Sequence, residues 1–150
     1  MYYIIFISLV LIDQITKFYA IDLLKNDLPY VIIDNFLQFN YLENYGAAFG
    51  KLQDKKVFLI IVTIIVIIGI IFYLIKNKKL TTMSKISMVM IISGAIGNLI
   101  DRIKYGYVVD FIDVKFGSFY DYPVFNIADS VIVVGTILFA YLVLTDKYEY

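Results

Sequence analysis

Residues 57–75 form a run of nineteen residues without a charged side chain, and this run restricts the folds that the chain can adopt. A helix rises about 1.5 Å per residue, so a run of this length crosses the hydrocarbon core of a bilayer, which is about 30 Å thick. Residues 125–144 form a second long run, in which Asp129 is the one charged residue. Residues 2–24 and 86–103 are apolar except for a few polar side chains. The sequence therefore predicts four transmembrane helices.

The composition supports a membrane protein and excludes several kinds of chemistry. Hydrophobic residues make up 61% and charged residues 17% of the chain, whereas soluble domains are about half apolar and about a quarter charged. The 13 basic and 13 acidic residues cancel, so no net charge attracts nucleic acid. The absence of cysteine and histidine excludes disulfides, Ser/His/Asp triads and the usual zinc or haem ligands. Because linker-like and repeated segments are missing, we expect residues 1–150 to form a single integral-membrane domain.

The lysines between the second and third predicted spans indicate the orientation of the chain. The short link 76–85 carries four lysines and no acidic residue, which is typical of a cytoplasmic loop. We therefore expect both termini to be cytoplasmic, and the connections 25–56 and 104–123 to face outward. Segment 25–56 also holds four lysines, but at a lower density. The first span lacks a basic leader and a small-residue cleavage site, so we expect it to remain uncleaved.

An alternating pattern within the first outward connection predicts a β-strand. Leu37, Phe39 and Tyr41 alternate with Gln38 and Asn40, and this two-residue period is typical of a strand with one buried face. We therefore expect a small sheet on the outer surface of the membrane.

Several charged side chains fall where a bilayer disfavours charge: Asp13, Lys17, Asp101, Arg102 and Asp129. At about 3 kcal/mol each near the centre of the membrane, they cost roughly 15 kcal/mol together unless they have partners. Asp13 and Lys17 are four residues apart and share one helix face. They either satisfy each other as an ion pair or belong to a larger polar site, and the sequence leaves both interpretations open.

Polar residues at the end of the third predicted span indicate a buried helix contact. Asp101 and Arg102 follow Asn98 by three and four residues, so the three side chains share one helix face. Gly94 and Gly97 precede them, and small residues at this spacing let another helix approach closely. Arg102 is the one arginine in the chain. Its planar guanidinium suits bidentate contact with a carboxylate or with backbone carbonyls. The alternative is that Arg102 extends toward the lipid headgroups.

Two further aspartates are candidates for catalysis. Asp129 lies about one turn into the fourth span, three residues after Asn126, and Asp110 lies just past the third span. Both can meet at the outer end of the helices. Two close carboxylates share one proton, so that the charged one can activate a water while the protonated one polarises a carbonyl group. A proton or cation relay explains two such aspartates equally well.

Four motifs in order resemble those of the lipoprotein signal peptidases, or signal peptidase II family. They are Asp13-Gln14-Ile15-Thr16-Lys17, Asn44-Tyr45-Gly46-Ala47-Ala48-Phe49, Gly94-Ala95-Ile96-Gly97-Asn98-Leu99-Ile100-Asp101-Arg102 with Val108-Val109-Asp110-Phe111, and Phe125-Asn126-Ile127-Ala128-Asp129-Ser130. The resemblance implies an aspartyl endopeptidase of the bacterial inner or cytoplasmic membrane. Such an enzyme removes the signal peptide of prolipoproteins before a diacylglyceryl-modified cysteine.

The same resemblance implies the fold and the site residues. The fold is an all-α membrane protein with four transmembrane helices and a small extracytoplasmic β-cradle. Asp110 and Asp129 are implied to be the catalytic pair. The implied supporting residues around the cleft are Asp13, Lys17, Asn44, Gly46, Asn98, Asp101, Arg102 and Asn126. We expect no metal and no cofactor, membrane lipid as the surroundings, no nucleic-acid partner, and action as a monomer.

The chain departs from the family pattern at one position, and two other classes of function are consistent with the sequence. Ser93 replaces a glycine that many family members have, and because serine is small we expect the packing to survive. A small proton- or cation-coupled transporter would use Asp129 as its ion-carrying carboxylate. A non-catalytic assembly subunit would leave Asp110 and Asp129 without a role. A lipoprotein-processing assay that compares the intact chain with Asp129→Asn distinguishes all three.

Overall fold

The structure, a computed structural model, describes residues 1–46, 55–117 and 119–150. Within these residues, helices and strands follow in the order α1 (Tyr2–Leu24), β1 (Tyr30–Ile33), β2 (Leu37–Asn44), α2 (Lys56–Lys76), α3 (Thr82–Lys104), β3 (Val108–Phe116), β4 (Tyr120–Asp121) and α4 (Ile127–Leu144). All four helices are long and apolar enough to cross a membrane. The predicted fold class is therefore confirmed. The motif residues Ala47, Ala48 and Phe49 lie outside the described part of the chain.

The largest differences between the helices and the predicted spans are at the starts of α3 and α4, where capping residues set the first residue of the helix. α1 agrees with the predicted span, and α2 is one residue longer at each end. α3 begins four residues earlier than predicted, because the Thr81 side chain caps it by accepting a hydrogen bond from the Ser84 backbone N–H at 3.3 Å. α4 begins two residues later than predicted. Phe125 forms backbone hydrogen bonds with Ile112 instead, and Asn126 caps the helix.

α3 is the central helix, since it packs against α1, α2 and α4. Its contact with α4 is the most extensive between any two elements of the described chain. A Cβ atom at Gly94 would overlap the carbonyl oxygen of Ala128. Ser93 is buried beside it, and its hydroxyl donates to the carbonyl of Val89 at 2.6 Å. Small residues therefore allow the close approach of α3 and α4.

The strands form an antiparallel sheet in the order β1-β2-β3-β4. The predicted strand at 37–41 is confirmed as part of β2, whereas β1, β3 and β4 were not predicted. Residues 37–41 are all half-buried, so the expected contrast between a buried and an exposed face is weak. Phe39 and Tyr41 nevertheless pack against a small core of Ala20, Val109 and Phe111. This core attaches the sheet to the end of α1.

The opposite end of the molecule carries the α2–α3 link and the C-terminal residues. The hydroxyl of Ser84 donates to the carbonyl of Tyr148 at 2.7 Å, and the N–H of Tyr150 donates to the carbonyl of Lys79 at 2.9 Å. The sheet and this polar link therefore lie at opposite ends of the helices.

Candidate active site

Asp110 lies near the start of β3 and is 1% exposed. Its Oδ2 accepts a hydrogen bond from Asn44 Nδ2 at 2.9 Å, and its Oδ1 accepts one from Asn126 Nδ2 at 2.7 Å. The β2–β3 pairing places Asn44 opposite Val108, two residues from Asp110. The sheet register therefore brings Asn44 within reach of the carboxylate.

Asp129 lies in the first turn of α4, where the helix dipole favours a negative charge. It is half-buried, and its Oδ1 accepts a hydrogen bond from Asn98 Nδ2 at 2.7 Å. A capping box links it to Asn126, because the Asp129 N–H donates to Asn126 Oδ1 at 2.9 Å and the Asn126 N–H donates to Asp129 Oδ2 at 3.4 Å. Asn126 therefore contacts both candidate catalytic carboxylates.

The surroundings of Asp110 change its protonation. Burial, and then the negative charge of Asp129, raise its pKa to about 7, although hydrogen bonds from Asn44 and Asn126 act in the opposite direction. Asp110 therefore retains its proton at a pH where an ordinary aspartate is ionised.

Lys17 lies at the centre of a buried ion cluster and is 2% exposed. Its Nζ is 3.0 Å from Asp13 Oδ2 and 3.0 Å from Asp101 Oδ2, and it donates to Asn98 Oδ1 at 2.9 Å. Of the two interpretations that the sequence left open, the larger polar site is therefore the one observed.

The ion cluster also holds the backbone beside each candidate catalytic residue. Asp13 Oδ1 accepts a hydrogen bond from the N–H of Ala128 at 2.9 Å, and Asp101 Oδ2 accepts one from the N–H of Val109 at 3.1 Å. Ala128 and Val109 directly precede the two candidate catalytic aspartates. Lys17 thus joins, through its two carboxylate partners, the start of α4 to the start of β3.

Arg102 holds a backbone carbonyl. Its Nη2 donates to the oxygen of Gly46 at 3.0 Å, and the N–H of Gly46 donates to Asn44 Oδ1 at 2.9 Å. The positive charge of Arg102 also attracts the carboxylates of Asp129 and Asp110. Of the alternatives for Arg102, contact with backbone is therefore the one observed, and within the residues that the structure describes it is made through one nitrogen.

Two contributors to this polar interior were not among the predicted site residues. Gln14 Nε2 donates to Asp101 Oδ1 at 3.1 Å and to the carbonyl of Gly97 at 3.2 Å. Asp113 is buried and accepts from Gln38 Nε2 at 2.6 Å. Gln14 could have been found as an amide inside an apolar span, and Asp113 as a second acid three residues after Asp110.

Open space adjoins the site beside Asn44. A cavity of about 460 Å³ lies between β2, β3 and the residues just before α4, with Asn44, Asp113 and Lys115 in its wall. Among the described residues, no group of three or more acidic side chains is arranged to hold a metal ion. The arrangement thus offers two linked carboxylates, several amide groups and room for a polar chain.

Comparisons with known proteins show which family the chain belongs to. The sequence model of the signal peptidase (SPase) II family matches residues 5–145. A lipoprotein signal peptidase of Clostridium novyi is 48% identical over 137 residues, which cover 91% of this chain and 93% of the relative. One of Clostridium tetani is 49% identical over 141 residues, which cover 93% and 90%.

Solved structures show the same fold. A bacterial membrane enzyme determined by the in meso method at 2.3 Å superposes with a TM-score of 0.87 at 38% identity, covering 97% of this chain and 88% of that one. The match to the family model spans nearly the whole chain, and it includes every residue of the site described above. The chain therefore belongs to the signal peptidase II family of aspartic-type peptidases, and it is a multi-pass bacterial membrane protein.

Proposed function

We propose that this chain removes the signal peptide from diacylglyceryl-modified prolipoproteins, and that Asp110 and Asp129 activate the attacking water. The observation that carries the proposal is the position of Asn126, which contacts both carboxylates. The names of the relatives support the substrate class, since they are called lipoprotein signal peptidases.

The proposed reaction uses one proton shared by the pair. Asp110, with its pKa raised to about 7, carries this proton and donates a hydrogen bond to the carbonyl oxygen of the scissile peptide. Asp129 takes a proton from the water as the water oxygen bonds to the carbonyl carbon. When the tetrahedral intermediate collapses, the C–N bond breaks and the leaving nitrogen receives a proton from the pair. Asn98 orients the Asp129 carboxylate during these steps.

The location of the site suits a lipid-anchored peptide. A diacylglyceryl group stays in the bilayer, so its peptide reaches the enzyme by lateral movement within the membrane. Asp129 lies at the first turn of a membrane-length helix and Asp110 in the adjoining sheet, so the scissile bond need not leave the membrane surface. The cavity beside Asn44 then offers a path for the polar chain that follows the cleavage site.

The proposal is tested with purified protein in lipid and a diacylglyceryl-modified substrate peptide. Asp110→Asn and Asp129→Asn each retain the shape of the side chain but prevent the sharing of one proton. Each should lower the cleavage rate by about 10³-fold or more, and the double variant should be little worse, because residues that act as one catalytic unit are strongly non-additive.

Asp34→Asn is the matched control, since Asp34 is an exposed carboxylate in the turn between β1 and β2. It should cleave at the rate of the unmodified protein. Cleavage by Asp110→Asn at close to that rate would contradict the catalytic pair. The transporter hypothesis differs, because it requires ion coupling to depend on Asp129 and to tolerate the change at Asp110.

A further inference from the structure

A second polar cluster lies beside Asn44, and its residues Glu43 and Tyr45 line the same cavity as Asn44. The carboxylate of Glu43 accepts hydrogen bonds from Lys25 Nζ at 3.0 Å, Tyr41 OH at 3.0 Å and Tyr45 OH at 2.8 Å. These bonds, that of Tyr45 first, lower the pKa of Glu43 to about 2, so the carboxylate is charged at any working pH. The Glu43 cluster comprises Lys25, Tyr41, Glu43, Tyr45 and Tyr107. No member of it forms a hydrogen bond or ion pair with the Asp110 or Asp129 side chain in the part of the chain that the structure describes.

Glu43 and Tyr45 are joined across Asn44. Glu43 lies in β2, and Tyr45 directly follows the last residue of this strand. Where a chain is extended, residues i and i+2 point to one side while the residue between them points to the other. The Tyr45–Glu43 hydrogen bond therefore restrains the backbone on both sides of Asn44, whose own side chain extends to Asp110. The Asn44 side chain is further restrained by the N–H of Gly46.

The Glu43 cluster is attached to two neighbouring elements. The hydroxyls of Tyr41 and Tyr107 are 3.2 Å apart, and the rings of Tyr45 and Tyr107 have centroids 5.3 Å apart. Tyr107 directly precedes β3. Lys25, just past the end of α1, lies with its Nζ 5.5 Å from the centroid of the Tyr41 ring. The end of β2 is thus linked to the end of α1 and to the start of the strand that carries Asp110.

We propose that Glu43 is a positioning residue for the peptidase reaction, because its hydrogen bond to Tyr45 holds Asn44 in place against Asp110. The inference rests on the proposed function of the Asp110–Asp129 pair. Lys25 and Glu43 are partly exposed, with side chains 43% and 28% accessible, and ion pairs of this kind add little to stability. Loss of Glu43 should therefore affect the reaction more than the fold.

The first test measures cleavage of the diacylglyceryl-modified peptide by Glu43→Ala and Tyr45→Phe. Tyr45→Phe removes the hydroxyl but keeps the ring beside Tyr107. Each variant should lower kcat by about 10-fold or more, since small displacements of positioning groups are costly, with KM within about twofold and an unchanged thermal midpoint. The double variant should match Glu43→Ala, because the hydrogen bond that Tyr45→Phe removes is already absent in Glu43→Ala. Glu149→Ala is the control, since Glu149 lies at the opposite end and accepts from Asn77.

The pH profile provides a measurement that a merely structural role would not change. The Asn44 hydrogen bond lowers the pKa of Asp110, so a displaced Asn44 should raise the upper apparent pKa of the catalytic pair. The charges that act on Asp110 from the packed helices include those of Asp129, Lys17 and Arg102, and Lys17 is paired with Asp13 and Asp101. Both test variants leave these charges in place. We expect the upper apparent pKa to be higher in both variants and unchanged in Glu149→Ala.

Three results would overturn the proposal. They are an unchanged kcat and pH profile in Glu43→Ala, additive losses in the double variant, and a loss explained entirely by a smaller folded fraction. If Glu43→Ala does not fold, Tyr45→Phe with its ring contact retained gives the same readouts. Failure of the unmodified protein to cleave the peptide would contradict the proposed function itself, whereas normal cleavage by Tyr45→Phe with a normal pH profile would contradict only the role of Glu43.

Discussion

Single residues explain why a bilayer accepts so much charge in this chain. Lys17 meets two carboxylates and an amide oxygen, and the remaining carboxylate oxygens of those partners bind backbone or amide N–H groups. Every buried side-chain nitrogen and oxygen that the structure describes has a hydrogen-bond partner. Buried ions are tolerated when they are paired and fully hydrogen-bonded. The same contacts hold the backbone beside both candidate catalytic aspartates, so charge placement and site geometry have one cause.

The sequence predicted which polar residues belong to the site but only part of how they connect. The i,i+4 spacing of Asp13 and Lys17 predicted their contact, because helix geometry alone determines it. The contact of Lys17 with Asp101 joins residues that are 84 positions apart, and no local pattern reveals it. The same holds for Arg102, because its partner Gly46 is 56 positions away and is brought close to Arg102 by the fold of the sheet.

The pH dependence of cleavage is a prediction at the scale of the residue. Because the pKa of Asp110 is raised to about 7, the pair keeps one proton up to about that pH. Cleavage should fall as the pH rises past about 7 and this proton is lost. It should fall again at acid pH, where both carboxylates are protonated and none can activate water. The two apparent pKa values belong to the pair. Initial rates between roughly pH 3 and 10, a range that extends below the ordinary aspartate pKa of about 3.9, measure them. A flat rate from neutral to alkaline pH would contradict the assignment.

At the scale of elements, the sequence predicted the helices better than the strands. Apolar length is a sufficient signal for a membrane-crossing helix, and all four predicted spans overlap helices. β3 gave no such signal, because Val108, Val109, Asp110, Phe111 and Ile112 do not alternate. Phe111 and Ile112 both donate backbone hydrogen bonds to the carbonyl of Phe125, and an irregularity of this kind breaks the two-residue period. Its pairing with β2 also joins distant segments.

The close contact of α3 with α4 leads to a prediction about Gly94. A methyl group there would overlap the Ala128 carbonyl and lie 2.7 Å from Ile132 Cγ1. Gly94→Ala should therefore destabilise the fold by about 1–3 kcal/mol. It should also lower cleavage, because Ala128 precedes Asp129 in the first turn of α4. Thermal unfolding of the purified protein in detergent, together with the peptide assay, measures both effects.

Gly69→Ala in α2 is the matched control for this change. A Cβ atom at Gly69 has no neighbour within 4 Å among the described residues, and alanine favours a helix over glycine by about 0.5–1 kcal/mol. Its thermal midpoint should equal or exceed that of the unmodified protein. Equal midpoints for Gly94→Ala and Gly69→Ala would show that the α3–α4 contact can adjust to the added methyl group.

The whole molecule has two different ends, and the proposed reaction requires that the end with the sheet face outward. The lysine-dense link 76–85 and the C-terminal residues share one end, whereas Asp110 and the sheet lie at the other. The four lysines of segment 25–56 argue against this orientation, because they equal in number those of link 76–85. Lys25 is engaged with Glu43 in the structure, so part of that competing charge is neutralised. We therefore propose that both termini are cytoplasmic, in line with the rule that favours lysine in cytoplasmic loops.

The orientation can be measured directly because the chain contains no cysteine. Asp34→Cys places a thiol in the exposed turn between β1 and β2, and Lys78→Cys places one in the exposed link between α2 and α3. In cells whose cytoplasmic membrane is intact and accessible from outside, a membrane-impermeant thiol reagent should label Asp34→Cys and leave Lys78→Cys unlabelled. Permeabilised cells should label both, which confirms that each thiol is accessible. Labelling of Lys78→Cys alone in intact cells would place Asp110 on the cytoplasmic side, where a peptide emerging on the outer surface could not reach it.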